Sequence, residues 1–113
     1  MITRKSEQKT ELREHMRGGE GVVRLDALAS SLPPHMRLFS KITLVPGASI
    51  GYHVHERETE LFYFISGTGR VRDDDASYEV SAGDVLSTGG GHGHAVANTG
   101  DKDLVLLAAI VQE

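Results

Sequence analysis

Turn signals limit the length of every element in the larger part of this chain. From Pro33-Pro34 onward they recur as Pro46-Gly47, Ser66-Gly67-Thr68-Gly69, Asp73-Asp74-Asp75, Ala82-Gly83-Asp84 and Gly89-Gly90-Gly91. Glycine and proline spaced in this way leave only segments of strand length between them. MRLFSKITLV alternates, with Leu38, Ile42 and Leu44 on one face, and SIGYHVH follows it. TELFYFIS is apolar on both faces, which predicts that its outer side is covered too. RVRD, SYEVS, VLST, HAVAN and LVLLAAIV complete the series. Short strands with glycine at the corners predict an all-β sandwich or small barrel.

The N-terminal third reads differently. Residues 1–21 are mostly charged or glycine and are expected to form an arm, with residues 22–113 as a single barrel domain. Residues 5–17 put Leu12 and Met16 on one side, which predicts a short helix stopped by Gly18-Gly19, or else a partly ordered arm. Around DALASSL, Leu25, Leu28 and Leu32 have helical spacing, with Asp26 as a cap and Pro33-Pro34 as the stop. MRGGEG, residues 16–21, reads as a glycine hinge, and GVVRL, residues 21–25, as an edge strand able to add to a neighbouring molecule.

Composition removes several classes of function. A chain of 113 residues is one domain with a core of its own. There is no cysteine, so thiolate catalysis and disulfide staples are excluded. Net charge is −4, from 12 basic and 16 acidic residues without a basic patch interleaved with aromatics, so no nucleic-acid partner is expected. The longest apolar run, LVLLAAIV, is too short to span a bilayer or direct export. No membrane association is expected, and a cytoplasmic location is the default.

The stretch GYHVHERETELFYFISG carries the chemistry. His53 and His55 project from one strand face, because side chains alternate with period two. Alone, such a pair reads first as a wet sheet surface. Glu60 changes that reading, because its i+2 and i+4 neighbours, Phe62 and Phe64, look interior. A carboxylate on an apolar face needs a partner to offset its desolvation, and a bound cation is one. His94, on one face with Val96 and Asn98, can complete the set from across a barrel. His92 reads first as an exposed loop histidine and otherwise as a residue of the mouth, a candidate for proton transfer along with Glu56, Arg57 and Glu58. His15 and His35 lie outside the group. The Asp73-Asp74-Asp75 run lacks calcium-loop spacing and reads as a solvated turn.

These residues resemble the cupin superfamily. Its first motif, G-x5-H-x-H-x3,4-E-x6-G, is matched by Gly47, His53, His55, Glu60 and Gly67. Its second, G-x5-P-x-G-x2-H-x3-N, is matched by Gly83, Gly91, His94 and Asn98, with Gly89 where the family has proline. That departure predicts a more mobile loop ahead of His94. The resemblance implies a double-stranded β-helix, or jelly-roll barrel, holding one divalent metal ion through His53, His55, Glu60 and His94.

Three neutral imidazoles, one carboxylate and a divalent ion sum to about +1, which favours a small anionic, oxygen-rich ligand. A nitrogen and oxygen donor set without sulfur suits Mn, Fe, Co, Ni or Zn. The resemblance implies two functions. One is a metalloenzyme acting on a carboxylate, keto-acid or sugar-like substrate, of oxalate decarboxylase, dioxygenase or isomerase type. The other is a sugar- or organic-acid-binding module without turnover. Phe62, Phe64 and Val96 are expected to line the pocket. Glu56, Arg57 and Glu58 read best as a solvated hairpin loop, with a rim position as the alternative. Arg70 and Arg72 share a face and would meet a substrate carboxylate or the acidic turn. Leu61, Tyr63 and Ile65 form an apolar outward face, which predicts a homodimer.

Overall fold

The computed structural model describes residues 1–113. Ten strands run in chain order: β1 Lys9–Glu14, β2 Val22–Ala27, β3 Met36–Leu44, β4 Ser49–Val54 and β5 Glu58–Ser66, then β6 Thr68–Asp73, β7 Ala76–Ser81, β8 Val85–Gly89, β9 Gly93–Asn98 and β10 Leu104–Gln112. They form a six-stranded sheet, β1-β2-β3-β10-β5-β8, facing a four-stranded one, β4-β9-β6-β7. All pairings are antiparallel. The all-β fold expected from the turn spacing, and the jelly roll that the resemblance implies, are the fold observed.

Alternation places the core. In β10, Leu104, Leu106, Ala108 and Ile110 are buried, while the residues between them face outward. They meet Ile42 and Leu44 of β3, Phe62 and Phe64 of β5, and Ile50, Val71 and Val96 from the opposite sheet. Each such side chain contributes about 1.5–3 kcal/mol through burial. Asn98 staples the far end of β9, its Nδ2 donating to the carbonyls of Leu44 and Lys102 at 2.8 Å each. Along β5 the inward residues run Glu60, Phe62, Phe64, so one end of the interior is polar while the middle is packed with rings.

Four expectations are corrected. Residues 9–14 are not helical: they form β1, paired residue by residue with β2 and exposed on both faces. A strand wet on both sides shows no alternation, so Leu12 and Met16 mimicked a helical stripe. DALASSL is not a helix either; its first two residues end β2, and Leu28 to Leu32 have no regular structure. Leu25 is buried as a strand residue beside Val23, so period two prevails over the spacing of the three leucines. GVVRL has no free edge, because β2 lies between β1 and β3. The outer face of β5 is not covered within the chain: Leu61, Tyr63 and Ile65 are 42%, 46% and 41% exposed.

Asp26 locks β1 to the sheet. Its side chain is buried, and its Oδ1 accepts from Thr10 Oγ1 at 2.5 Å and from Arg24 Nε at 3.2 Å, with Lys41 Nζ 3.9 Å from Oδ2. The Thr10 hydrogen bond holds the carboxyl below its ordinary value of 3.8, helped by Arg24 and Lys41 and opposed by burial. A lowered folded-state value contributes stability above the ordinary value and loses it as pH falls through the folded one. Asp26→Asn should therefore lower stability by about 1 kcal/mol at pH 7. The gap from the parent should narrow below pH 3.8, in urea denaturation at pH 7 and pH 3.

Candidate metal centre

The four motif residues reach one point from both sheets. His53 lies on β4, directly opposite His94 on β9, and His55 follows β4 immediately. Glu60 comes across from β5 in the other sheet. Their donor atoms lie within 4.8 Å of one another. His94, His55 and Glu60 are 0%, 2% and 5% exposed, and His53 is half-buried.

Hydrogen bonds behind the rings decide which nitrogen faces inward. His53 Nδ1–H donates to the Gly51 carbonyl at 2.8 Å. His55 Nδ1–H donates to Glu58 Oε2 at 2.6 Å. Neither acceptor can donate in return, so both rings carry their proton on Nδ1 and turn a bare Nε2 to the centre. His94 Nδ1 meets Thr88 Oγ1 at 2.8 Å, and its ring stacks on Phe62 with centroids 4.7 Å apart.

The inward atoms are too close for their chemistry alone. His94 Nε2 lies 3.1 Å from His55 Nε2, 3.2 Å from His53 Nε2 and 3.0 Å from Glu60 Oε1. His55 Nε2 lies 3.0 Å from the same oxygen, and His53 Nε2 lies 4.0 Å from it. Burial holds His53 below the ordinary imidazole value, with the charges of His94, His55 and Arg17 adding to the effect and the Gly51 carbonyl opposing it. The ring therefore stays neutral at pH 7. Lone pairs and a carboxylate converge where water is scarce, and a central cation turns that repulsion into ligation. The donor set fits one divalent metal ion.

Behind the cluster stands a second set of side chains. Arg37 of β3 grips Glu58 with two parallel hydrogen bonds, Nε to Oε1 and Nη2 to Oε2, both 2.7 Å. This fork draws the Glu58 carboxyl down to about 2, with His55 helping and burial opposing. Glu58 is thus a fixed anion that orients His55. It is neither a solvated loop residue nor a proton donor at neutral pH. Its position two residues before Glu60, on the same strand face, was a usable signal. Arg37 had none, because β10 lies between its strand and β5.

The remaining expected residues fall elsewhere. His92 bonds through Nδ1 to the Asp74 carboxylate on the exterior and is not in the cluster. His15 and His35 are exposed and apart from it. Glu56 and Arg57 are exposed turn residues. Arg70 pairs with Glu79, and Arg72 stacks on Tyr52 3.9 Å from the ring centroid. Both line an outer groove, away from the cluster. Phe62 lines the cavity beside the donors, whereas Phe64 and Val96 lie in the core. The loop ahead of His94 is braced: His55 N–H donates to the His92 carbonyl at 3.0 Å, and Gly91 N–H to that of His55 at 2.9 Å. Gly89 permits close approach to β5, since a Cβ there would lie 2.3 Å from Thr59 Oγ1 and 2.7 Å from the Glu58 carbonyl oxygen. No ring of proline size fits at that point.

The cupin domain family model matches residues 40–110, which carry all four clustered residues. The chain is a cupin. A curated relative, the oxalate-binding protein of Thermotoga maritima, is 41% identical over 113 residues, spanning 98% of this chain and 93% of that one. The crystal structure of a protein described as a predicted oxalate decarboxylase, also from Thermotoga maritima, superposes with a TM-score of 0.94 at 39% identity over the whole of both chains. An RmlC-like cupin of Shewanella frigidimarina has a TM-score of 0.74 at 18% identity, covering 99% of this chain and 90% of that one, a likeness of fold alone.

Removing the bracket behind His55 should weaken a centre without deleting a donor. Glu58→Gln breaks the charged fork to Arg37, and it should reduce affinity for a divalent ion by about 10–100-fold. Competition against a chelating dye measures this.

Proposed function

We propose that this cupin binds a small dicarboxylate of the oxalate class on one divalent ion held by His53, His55, Glu60 and His94. The observation that carries this reading is the cavity beside the donors. It measures about 70 Å³ and is lined by Ile50, Phe62, Leu38, Ile110 and Met16, with Arg13, Arg17 and Arg37 at its polar side. Such a volume holds roughly five water-sized bodies. Oxalate, with six heavy atoms, suits it; a hexose, with twice that number, does not. The name of the 41% identical relative points to the same ligand.

Donor spacing supports an ion with more than four ligands. At a bond length of ~2.1 Å, neighbouring octahedral donors stand ~3.0 Å apart and opposite ones ~4.2 Å, whereas tetrahedral donors are all ~3.4 Å apart. Of the six separations, four are 3.0–3.2 Å and a fifth is 4.0 Å, nearer the octahedral values than the tetrahedral one. Mn, Fe, Co or Ni fits that pattern better than tetrahedral zinc. When bound, the ion supplies a Lewis-acidic point of attachment for carboxylate oxygens. The chain does the rest: Phe62 and the aliphatic wall exclude bulk water, Glu58 keeps His55 aligned, and the arginines favour an anion.

Binding without turnover is the reading these residues support best. Decarboxylation of oxalate to formate breaks a C–C bond and requires a proton at the carbon left behind. The cavity lining offers no carboxyl or imidazole outside the donor set, and Glu58 behind it is held as an anion. The enzymatic reading, of decarboxylase or dioxygenase type, therefore requires a proton source from beyond the lining.

Metal-loaded protein should bind oxalate in calorimetry and release no formate over hours. Chelator treatment or His55→Ala should abolish the binding. Formate produced at a steady rate would establish the enzyme instead, and an absence of binding in the loaded protein would reject both readings.

We also propose a homodimer through the outer face of the six-stranded sheet. Leu61 and Tyr63 lie there beside exposed Phe39 and Val85, brought into adjoining rows by the register of β3, β10, β5 and β8. Isolated monomers rarely expose so continuous an apolar surface. Sedimentation at micromolar concentration should give twice the 12.2 kDa chain mass, and Tyr63→Glu should shift it toward the monomer.

A further inference from the structure

The segment MRGGEG, residues 16–21, is a strap whose first two residues, Met16 and Arg17, line the cavity, while Gly18, Gly19 and Glu20 run along the outer groove. Its hold on the barrel is close. Ser49 N–H donates to the Glu20 carbonyl at 2.9 Å, and Glu20 N–H donates to Ser49 Oγ at 2.8 Å. A Cβ on Gly51 would lie 2.0 Å from the Arg17 carbonyl oxygen, and one on Gly19 would lie 2.1 Å from that of Ser49. The two backbones touch without intervening side chains. Within the strap, His15 N–H donates to the Gly21 carbonyl at 3.0 Å, and Gly18 N–H to that of His15 at 2.9 Å.

The strap is bent by two residues in the left-handed region, His15 at φ +50° and Arg17 at φ +54°. Neither is glycine, although Gly18 and Gly19 stand next in the chain. A side chain kept where glycine would sit with less strain is a pointer to function. The bend turns Met16 toward the core and leaves Arg17 at the cavity beside His53 and Glu60. Three arginines line that cavity, but two are committed. Arg37 is forked onto Glu58 and Arg13 is paired with Glu11. Arg17 has no carboxylate within 4.0 Å and makes no side-chain hydrogen bond, so its guanidinium is free for a ligand.

The geometry points to Arg17 as the anion clamp of this site, the side chain that receives the carboxylate end of the ligand lying away from the metal ion. This rests on the reading that a small carboxylate occupies the cavity. A planar guanidinium presents paired donors that match a carboxylate, and an oxalate anchored at one end has a second carboxylate left to be held. The strap fixes the Arg17 backbone against β4, so the side chain starts from a set position although it is itself exposed.

The test compares the metal-loaded parent with Arg17→Gln, Arg17→Lys, Arg17→Gly and the control Arg70→Gln, at the outer groove, each titrated with oxalate, formate and sulfate, with metal content measured in parallel. Arg17→Gln and Arg17→Gly should lose at least tenfold in oxalate affinity at unchanged metal content. Arg17→Lys should fall between, and Arg70→Gln should stay within twofold of the parent. Arg17→Gly should melt no lower than the parent, since it relieves the left-handed residue, and this separates the clamp from a merely structural role. Oxalate affinity within twofold of the parent in Arg17→Gln, or loss of metal from it, would overturn the proposal. If the parent binds formate or sulfate but not oxalate, and Arg17→Gln loses that binding, the oxalate reading fails and the clamp stands. A loaded parent that binds none of the three rejects both.

Discussion

A carboxylate at the polar end of a closed β-interior governs this molecule. Glu60 is buried among three imidazoles, two of which turn a bare nitrogen toward it. No protein cation lies within the group to balance it, and an uncompensated buried charge costs several kcal/mol. A positive centre would offset that cost, and the geometry that could hold one reaches outward. Two imidazoles come from β4 and β9 in one sheet and the carboxylate from β5 in the other, so the spacing between sheets is also the spacing between donors. Packing of Phe62, Ile50 and Val96 sets that distance. Core and centre are therefore a single mechanical problem, and a change of volume near Phe62 would be felt at the donors.

The hydrogen bonds behind the rings divide the work. One ring is held by a backbone carbonyl, one by a carboxylate and one by a hydroxyl. The carboxylate differs from the others because it adds charge as well as direction, and Arg37 steadies that charge from β3. His55 is thus the one ring of the three held by a charged partner. Thr88, directly opposite Glu60 across the β5–β8 pairing, ties the edge strand to the same centre. The ladder that builds the sheet also lines up the orienting groups.

How much of this could be read beforehand depended on range. His53, His55 and Glu60 were legible because strand period and motif spacing act over eight residues, and His94 because its own strand has an inward face. The strands after residue 36 were legible because glycine and proline punctuate them. Failure came where the signal is nonlocal. β1 is wet on both sides and exists because β2 offers it an edge, so its composition carries no period at all. Arg37 reaches Glu58 past β10, a relation set by strand order alone. Gly89 was misread for a related reason. The triple glycine suggests looseness, yet the residue is small because β5 passes too near for any side chain.

Charge and volume act together on what this interior can accept. A centre of net charge about +1 attracts many anions, and taken alone it would select poorly. On the proposed reading, the aliphatic wall and a volume of about 70 Å³ disfavour the large ones, sugar phosphates among them. Monocarboxylates fit but satisfy only one end of the cavity. On the proposed reading a short dianion would meet the donors at one end and the Arg17 guanidinium, which lines the same cavity, at the other. Selectivity would then come from the separation of two positive points. That separation would be held on one side by the sheets and on the other by a strap whose strained backbone turns Met16 into the core and leaves Arg17 at the cavity.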